Sequence, residues 1–242
     1  MKLTPSSLHD REHPETIRQM FDEIAPTYDR LNHVLSFGLD RRWRQKAVEL
    51  LSEKRGGSFL DIAAGSGDVT LDLGALQPRS VVASDFAFNM LSVFRKKLGT
   101  GHRGGVTLVS CDAHFLPFRD EIFDGTIVAF GIRNFANRLR SLQEMLRVLK
   151  PGGISVILEL TQPSFPVAAQ LYRAYARWGI PAIGRFISKN SSAYSYLPSS
   201  ISKFPDEREF LALMTQVGFT SPVSTPLTFG AATIYSGRKG IA

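Results

Sequence analysis

Apolar residues change their period twice along this chain. Between Pro14 and Leu51, Ile17, Met20, Phe21 and Ile24 recur at helical spacing, and Trp43, Ala47, Leu50 and Leu51 repeat it, so amphipathic helices are predicted there. Pro26 interrupts them and Gly56-Gly57 ends the region. From Ser58 the rhythm shifts to short apolar runs: Phe59 to Ala63, Val81 to Ser84, Val106 to Val109, Thr126 to Phe130 and Ile154 to Leu158. Helical patterns fall between them at Val69 to Leu76, Phe88 to Leu98 and Leu139 to Leu149. Fully apolar strands alternating with helices predict a parallel sheet covered on both faces. Lys150-Pro151-Gly152-Gly153 reads as a turn from helix to strand. After Phe204, the acidic residues Asp206, Glu207 and Glu209 open a helix that ends near Gly218. Two β-like stretches follow, Val223 to Leu227 and Ala231 to Ser236, joined through Phe229-Gly230. The fold class is α/β, with a mainly parallel sheet that closes in a C-terminal antiparallel hairpin.

Composition narrows the class. A chain of 242 residues with 43% hydrophobic and 21% charged residues can build a full core. No run approaches the roughly 20 apolar residues of a membrane span. The polar stretch from Met1 to Pro14 lacks the apolar core of a secretory signal. The one cysteine, Cys111, excludes an internal disulfide and zinc-type spacing, so a cytoplasmic location is expected. A single domain over 1–242 is expected, with a helical cap at 14–55, a core at 56–162, an insertion at 163–204 and a C-terminal helix and hairpin at 205–242. The net charge of +7 fits nucleic acid, an anionic membrane surface or merely solvated helix faces, and charge alone leaves all of them open.

Candidate chemistry gathers at the ends of the predicted strands. Asp61-Ile62-Ala63-Ala64-Gly65-Ser66-Gly67-Asp68 follows a strand and opens a helix, where glycines let the backbone approach a ligand closely. Asp85 closes the next strand and can accept both ribose hydroxyls of an adenosine cofactor. Asp112, beside Ala113, sits just past the third strand, where a carboxylate can accept an adenine amino group. Acidic residues and glycines at successive strand ends point to an adenosine-containing cofactor. The GxGxxG spacing of a dinucleotide site is missing, which favours S-adenosylmethionine, a cofactor without a pyrophosphate.

With these residues side by side, the chain resembles the ubiquinone/menaquinone biosynthesis C-methyltransferase family from about Gln19 to Lys239. Phe21 to Asn32, continuing through Leu35-Ser36 to Trp43, looks like that family's first signature, and Arg147 to Glu159 looks like its second. Phe130-Gly131-Ile132-Arg133-Asn134 matches its segment after the fourth strand. The chain departs from the pattern at Asp40, where a histidine is frequent, at Thr161, where a serine is, and at Ala64 in the glycine loop. The resemblance implies a class I S-adenosylmethionine-dependent methyltransferase, Rossmann-like. It carries the cofactor contacts to Ser66, Asp85, Asp112 and Ala113, with Asp61 and Gly65 added by their strand-end positions.

That family's chemistry implies C-methylation of a prenylated quinol, demethylmenaquinol foremost, with a ubiquinone-pathway quinol or another small molecule or lipid as alternatives. Arg133 and Asn134 follow the fourth strand and are the candidate catalytic residues, Arg133 as a cation that stabilises a phenolate or as the partner of a helix carboxylate. Tyr28, Asp29 and His33 are candidates for a lid over the cofactor. No metal is called for, because the five histidines show no ligand spacing with carboxylates. The insertion from Pro163 to Phe204 holds four of the six tyrosines, with Phe165, Trp178, Phe186 and Ile187, and suits a quinone ring and prenyl tail. Its basic residues, Arg173, Arg177, Arg185 and Lys189, suit peripheral contact with an anionic membrane. No nucleic-acid partner is expected, since no basic groove interleaved with stacking residues is legible. Oligomeric state is left open.

Overall fold

The computed structural model describes residues 14–99, 105–163, 170, 174–175 and 191–241. The cap begins with α1 (Pro14–Ile24), passes through a 3-10 turn at Ala25–Thr27, and continues as α2 (Tyr28–Leu35) and α3 (Leu39–Glu49). Pro26 makes the first break, as its missing N–H requires. Gly38, at φ +74, makes the second.

The core follows as β1 (Ser58–Ile62), α4 (Asp68–Asp72), β2 (Ser80–Asp85), α5 (Phe88–Leu98), β3 (Val106–Ser110), β4 (Phe123–Ala129), α6 (Arg138–Val148) and β5 (Leu149–Leu160). After the insertion come α7 (Ser191–Ser202), α8 (Glu207–Val217), β6 (Thr220–Leu227) and β7 (Ala232–Arg238). A capping box, Asp206 with Glu209, starts α8, and Gly218 in the left-handed region ends it.

The strands form one sheet in the order β3-β2-β1-β4-β5-β7-β6. The first five are parallel, while β7 runs antiparallel to both β5 and β6. Alternation along the strands sends neighbouring side chains to opposite layers. Leu60, Val128 and Ile157 face α6 and α8 with Met145, Phe210 and Tyr235. Phe59, Ile127, Val156 and Leu158 face Trp43, Ala47, Leu51, Val69 and Leu73 from α3, α4 and the turns that follow each of them.

The turn expected at Lys150 to Gly153 is instead part of β5. The glycines bend the strand, with Gly152 at φ +72, and residues 150–153 bulge out between the pairs that Leu149 and Ile154 make with β4. Gly152 N–H donates to Lys239 C=O and Lys239 N–H to Gly153 C=O, each at 3.0 Å. The register to β4 jumps from Phe123↔Leu149 to Gly125↔Ile154, so the extra residues of this bulge belong to β5.

Candidate active site

The strand order reverses between β1 and β4, and the open edge there is where an α/β sheet binds ligands. A cavity open to solvent lies over that edge. Its lining includes Tyr28, Ala63, Gly65, Asp85, Asp112, Ala113 and Asn134, with Ile62, Met90, Phe130 and Phe135 as apolar walls.

Asp85 ends β2 with its carboxylate committed to backbone. Gly65 N–H donates to Oδ2 and Ala87 N–H to Oδ1, both at 2.8 Å. Burial pushes this carboxyl up to about 6, against the pull of those N–H groups. Each oxygen keeps a further lone pair for a ligand hydroxyl.

Asp112 accepts the backbone N–H of His114 at 2.9 Å and also contacts the Nδ1 of the same imidazole. Asn137 N–H donates to His114 Nε2 at 3.0 Å, which leaves the proton on Nδ1 facing Asp112. Cys111 lies beside them, and burial pushes its thiol up to about 11, so it lines the cavity as a neutral group.

Two expected cofactor residues sit behind this lining. Ser66 is buried and donates its hydroxyl to Asp29. Asp61 is buried in β1, with Oδ2 accepting from Thr70 Oγ1 at 2.6 Å and Oδ1 holding no hydrogen bond among the described residues. Burial pushes the Asp61 carboxyl up to about 7, with Thr70 opposing. Such an orphaned acceptor directly beneath the glycine turn suits a donor brought by a ligand or by a water beside it. Gly67 permits the turn: it takes φ +89, and a Cβ there would come within 2.1 Å of the Phe94 ring. Acceptors at the strand ends, apolar walls for a purine and backbone free to approach all fit an adenosyl cofactor.

Arg133 and Asn134 are neighbours in a 3-10 turn after β4, yet they face different spaces. Asn134 lines the first cavity. Arg133 lines a second, whose walls include Leu35, Phe37, Leu39, Trp43, Leu160, Tyr175, Leu197 and Ile201. Phe130 borders both. Arg133 pairs with the fully buried Glu159 at 2.7 Å, and the same carboxylate accepts the Arg133 backbone N–H at 3.0 Å. Nη1 also donates to Phe130 C=O, and Nε to Ser200 Oγ at 3.3 Å. Burial alone would lower the guanidinium pKa, but Glu159 reverses the shift. The ion pair anticipated as one alternative for Arg133 is therefore present, with a strand carboxylate in place of a helix one. The Nη2 edge makes no hydrogen bond among the described residues.

His33 lines neither cavity. Its Nδ1 lies 2.7 Å from Asp40 and its Nε2 3.9 Å from Asp68. The absence of any histidine–carboxylate grouping in the sequence is thus corrected: the fold gathers His33, Asp40 and Asp68 within 4.8 Å. The cation among them is an arginine. Arg44 bonds Asp40 and reaches Asp68 at 3.4 Å and Asp72 at 3.1 Å. Lys97 continues the chain of charges, 2.7 Å from both Asp68 and Asp29. Asp40, distant from the glycine loop in sequence, is in this way wired to it.

Tyr175 and Tyr196 are in place, whereas Phe165, Tyr172, Arg173, Arg177, Trp178, Arg185, Phe186, Ile187 and Lys189 lie outside the described residues. The second cavity had no single signal in the sequence, since its walls come from α2, α3, β5, the β6–β7 turn and the insertion.

Residues 9–239 match the ubiE/COQ5 methyltransferase family. The ubiquinone/menaquinone biosynthesis C-methyltransferase UbiE of Geobacter sulfurreducens is 46% identical over 233 residues, covering 95% of this chain and 91% of its own. The demethylmenaquinone methyltransferase of Bacteroides fragilis is 42% identical over 241 residues, covering 98% of each. Among solved structures, a SAM-dependent methyltransferase from Thermotoga maritima superposes with a TM-score of 0.65 at 20% identity, covering 94% of this chain and 100% of that one. That likeness supports the Rossmann-like fold alone.

Proposed function

From the premise that the chain belongs to the ubiE/COQ5 methyltransferase family, we propose that it methylates a ring carbon of a prenylated quinol, with demethylmenaquinol in menaquinone biosynthesis as the substrate. The observation that carries this reading is the pair of cavities divided by Phe130, one edged with carboxylates and the other almost wholly apolar. S-adenosylmethionine is the cofactor, and when bound it supplies an electrophilic methyl group on a sulfonium.

Asp85 holds the ribose hydroxyls and Asp112, with Ala113, the adenine edge. Gly65 lets the backbone close on the cofactor, with Asp61 and Ser66 bracing the loop from behind. Arg133 and Asn134 are the candidate catalytic residues. A ring hydroxyl ionises near pH ~10 in water, and its phenolate is what makes the neighbouring carbon nucleophilic. The Arg133 cation, already desolvated, lowers the cost of that phenolate. Asn134 turns its amide towards the ring oxygen from the cofactor side. Tyr28 and Phe130 keep water from the space where the ring meets the methyl donor.

The substrate's tail calls for peripheral contact with a membrane, and among the described residues no helix is long and apolar enough to cross one. The test is methyl transfer from labelled S-adenosylmethionine to chemically reduced demethylmenaquinol, with the oxidised quinone and a ubiquinone-pathway quinol alongside. Label in the menaquinol and none in the oxidised ring is the expected result. Cofactor binding without transfer to any quinol would overturn the substrate, and transfer to the ubiquinone-pathway quinol alone would move the enzyme to that pathway.

A further inference from the structure

Two aromatic side chains project from turns beside the apolar chamber. Phe37, between α2 and α3, and Phe229, between β6 and β7, are each 73% exposed. Val34, one helical turn before Phe37, is also exposed. Both turns hold bulky residues in the left-handed region: Phe37 at φ +53, Thr228 at +46 and Phe229 at +57. Backbone of this kind persists only where the surroundings over-determine it.

Here they do. Trp43 Nε1 donates to Thr228 Oγ1 at 2.9 Å, fixing the second turn to α3. The Tyr175 ring stands 5.6 Å from Phe37, and its hydroxyl donates to Leu35 C=O at 2.8 Å. Phe37, Thr228 and Tyr175 all line the apolar chamber, so the two tips flank its walls. Exposed Arg41 and Arg42 follow Phe37 in the first turn of α3, on a chain of net charge +7.

We propose that the Phe37 and Phe229 turns are the surface on which the protein seats itself on an anionic bilayer, both rings entering the boundary between headgroups and acyl chains. Strained turns that push aromatic rings outward suit insertion into lipid, and the arginines behind Phe37 suit its headgroups. The apolar chamber between the tips then takes a prenyl chain straight from the membrane. This rests on the reading that the substrate is prenylated.

The test is flotation of the purified chain with phosphatidylcholine vesicles, with and without phosphatidylglycerol, beside methylation of a short-tailed quinol in solution. The wild type is expected to float with anionic vesicles, and less so as salt rises. Phe229→Ser is expected to weaken flotation about tenfold, and Phe229→Leu to restore most of it. Phe229 lines neither cavity, so the soluble methylation of Phe229→Ser stays at the wild-type rate and reports that the variant folds. A wild type that does not float, or a Phe229→Ser protein that floats equally well, overturns the proposal. So does a wild-type dimer that Phe229→Ser splits, because a second copy would then cover this surface. Failure of the wild type on the short-tailed quinol sinks the substrate reading instead, and flotation still decides the surface.

Discussion

Tyr196 donates its hydroxyl to Asn134 Oδ1 at 2.8 Å, tying α7 of the insertion to the turn after β4. With its carbonyl so engaged, the Asn134 amide nitrogen is the end left for the cofactor cavity that this residue lines. A side chain of the insertion thereby sets the orientation of one that lines the cofactor cavity. Tyr196→Phe should lower kcat about fivefold, the worth of one hydrogen bond, while the affinity for S-adenosylhomocysteine holds. Steady-state rates and calorimetry separate the two; lost cofactor affinity at unchanged kcat would contradict the assignment.

Cofactor affinity should depend on pH through Asp85. To accept two hydroxyls the carboxylate must be ionised, and burial has pushed its pKa up to about 6. Affinity therefore rises with pH through about 6 and levels off above it. Binding of S-adenosylhomocysteine should be roughly tenfold weaker at pH 5 than at pH 8. Asp85→Asn should bind weakly and show a flat profile.

Asp61 makes the stability of the cofactor-free protein pH-dependent. Its folded pKa of about 7 lies above the usual aspartate value, so the folded state holds a proton that the unfolded chain releases. The stabilisation is complete below about pH 4 and is lost as pH rises through about 7. Asp61→Asn keeps an acceptor for Thr70 without the charge. The fall in Tm between pH 5 and pH 8 should then shrink by about 4 °C, measurable by calorimetry; an unchanged fall would show that Asp61 ionises freely in the folded protein.

Arg44 is the hub of the charges that join the cap to the glycine loop. Its side chain is buried against Asp40, Asp68 and Asp72. Arg44→Met takes the guanidinium from Asp40 and Asp72, while Asp68 keeps Lys97, and should cost about 3–5 kcal/mol in urea denaturation. The double variant Arg44→Met/Asp40→Leu should recover part of that loss, since the most buried acid is then gone.

Much of the core was legible because strands buried on both faces are apolar throughout and helices between them are not. Phe88 to Leu98 was read with the bounds that α5 has. The Lys150 to Gly153 segment was read as a turn because its glycines mark a bend, and the hydrogen bonds that hold this bulge to the sheet come from Lys239, just past β7 and more than eighty residues later in sequence. The strand-end rule located Asp85 and Asp112, whose side chains need only reach upward from the edge. It gave no means of telling that Ser66 and Asp61 turn inward, since that depends on Asp29 and Thr70. The grouping of His33, Asp40 and Asp68 was invisible for the same reason, being made by the packing of α3 on α4.

Phe130 has a consequence for the order of events in turnover. It stands at φ +59 and lines both chambers, each of which is open to solvent. Donor and acceptor therefore need not queue at one door, and spent cofactor can leave while a prenyl chain stays lodged. Product-inhibition kinetics should show S-adenosylhomocysteine competing with S-adenosylmethionine but not with the quinol. Successive molecules of donor would then pass through one side of an enzyme that stays seated on its reservoir of acceptor.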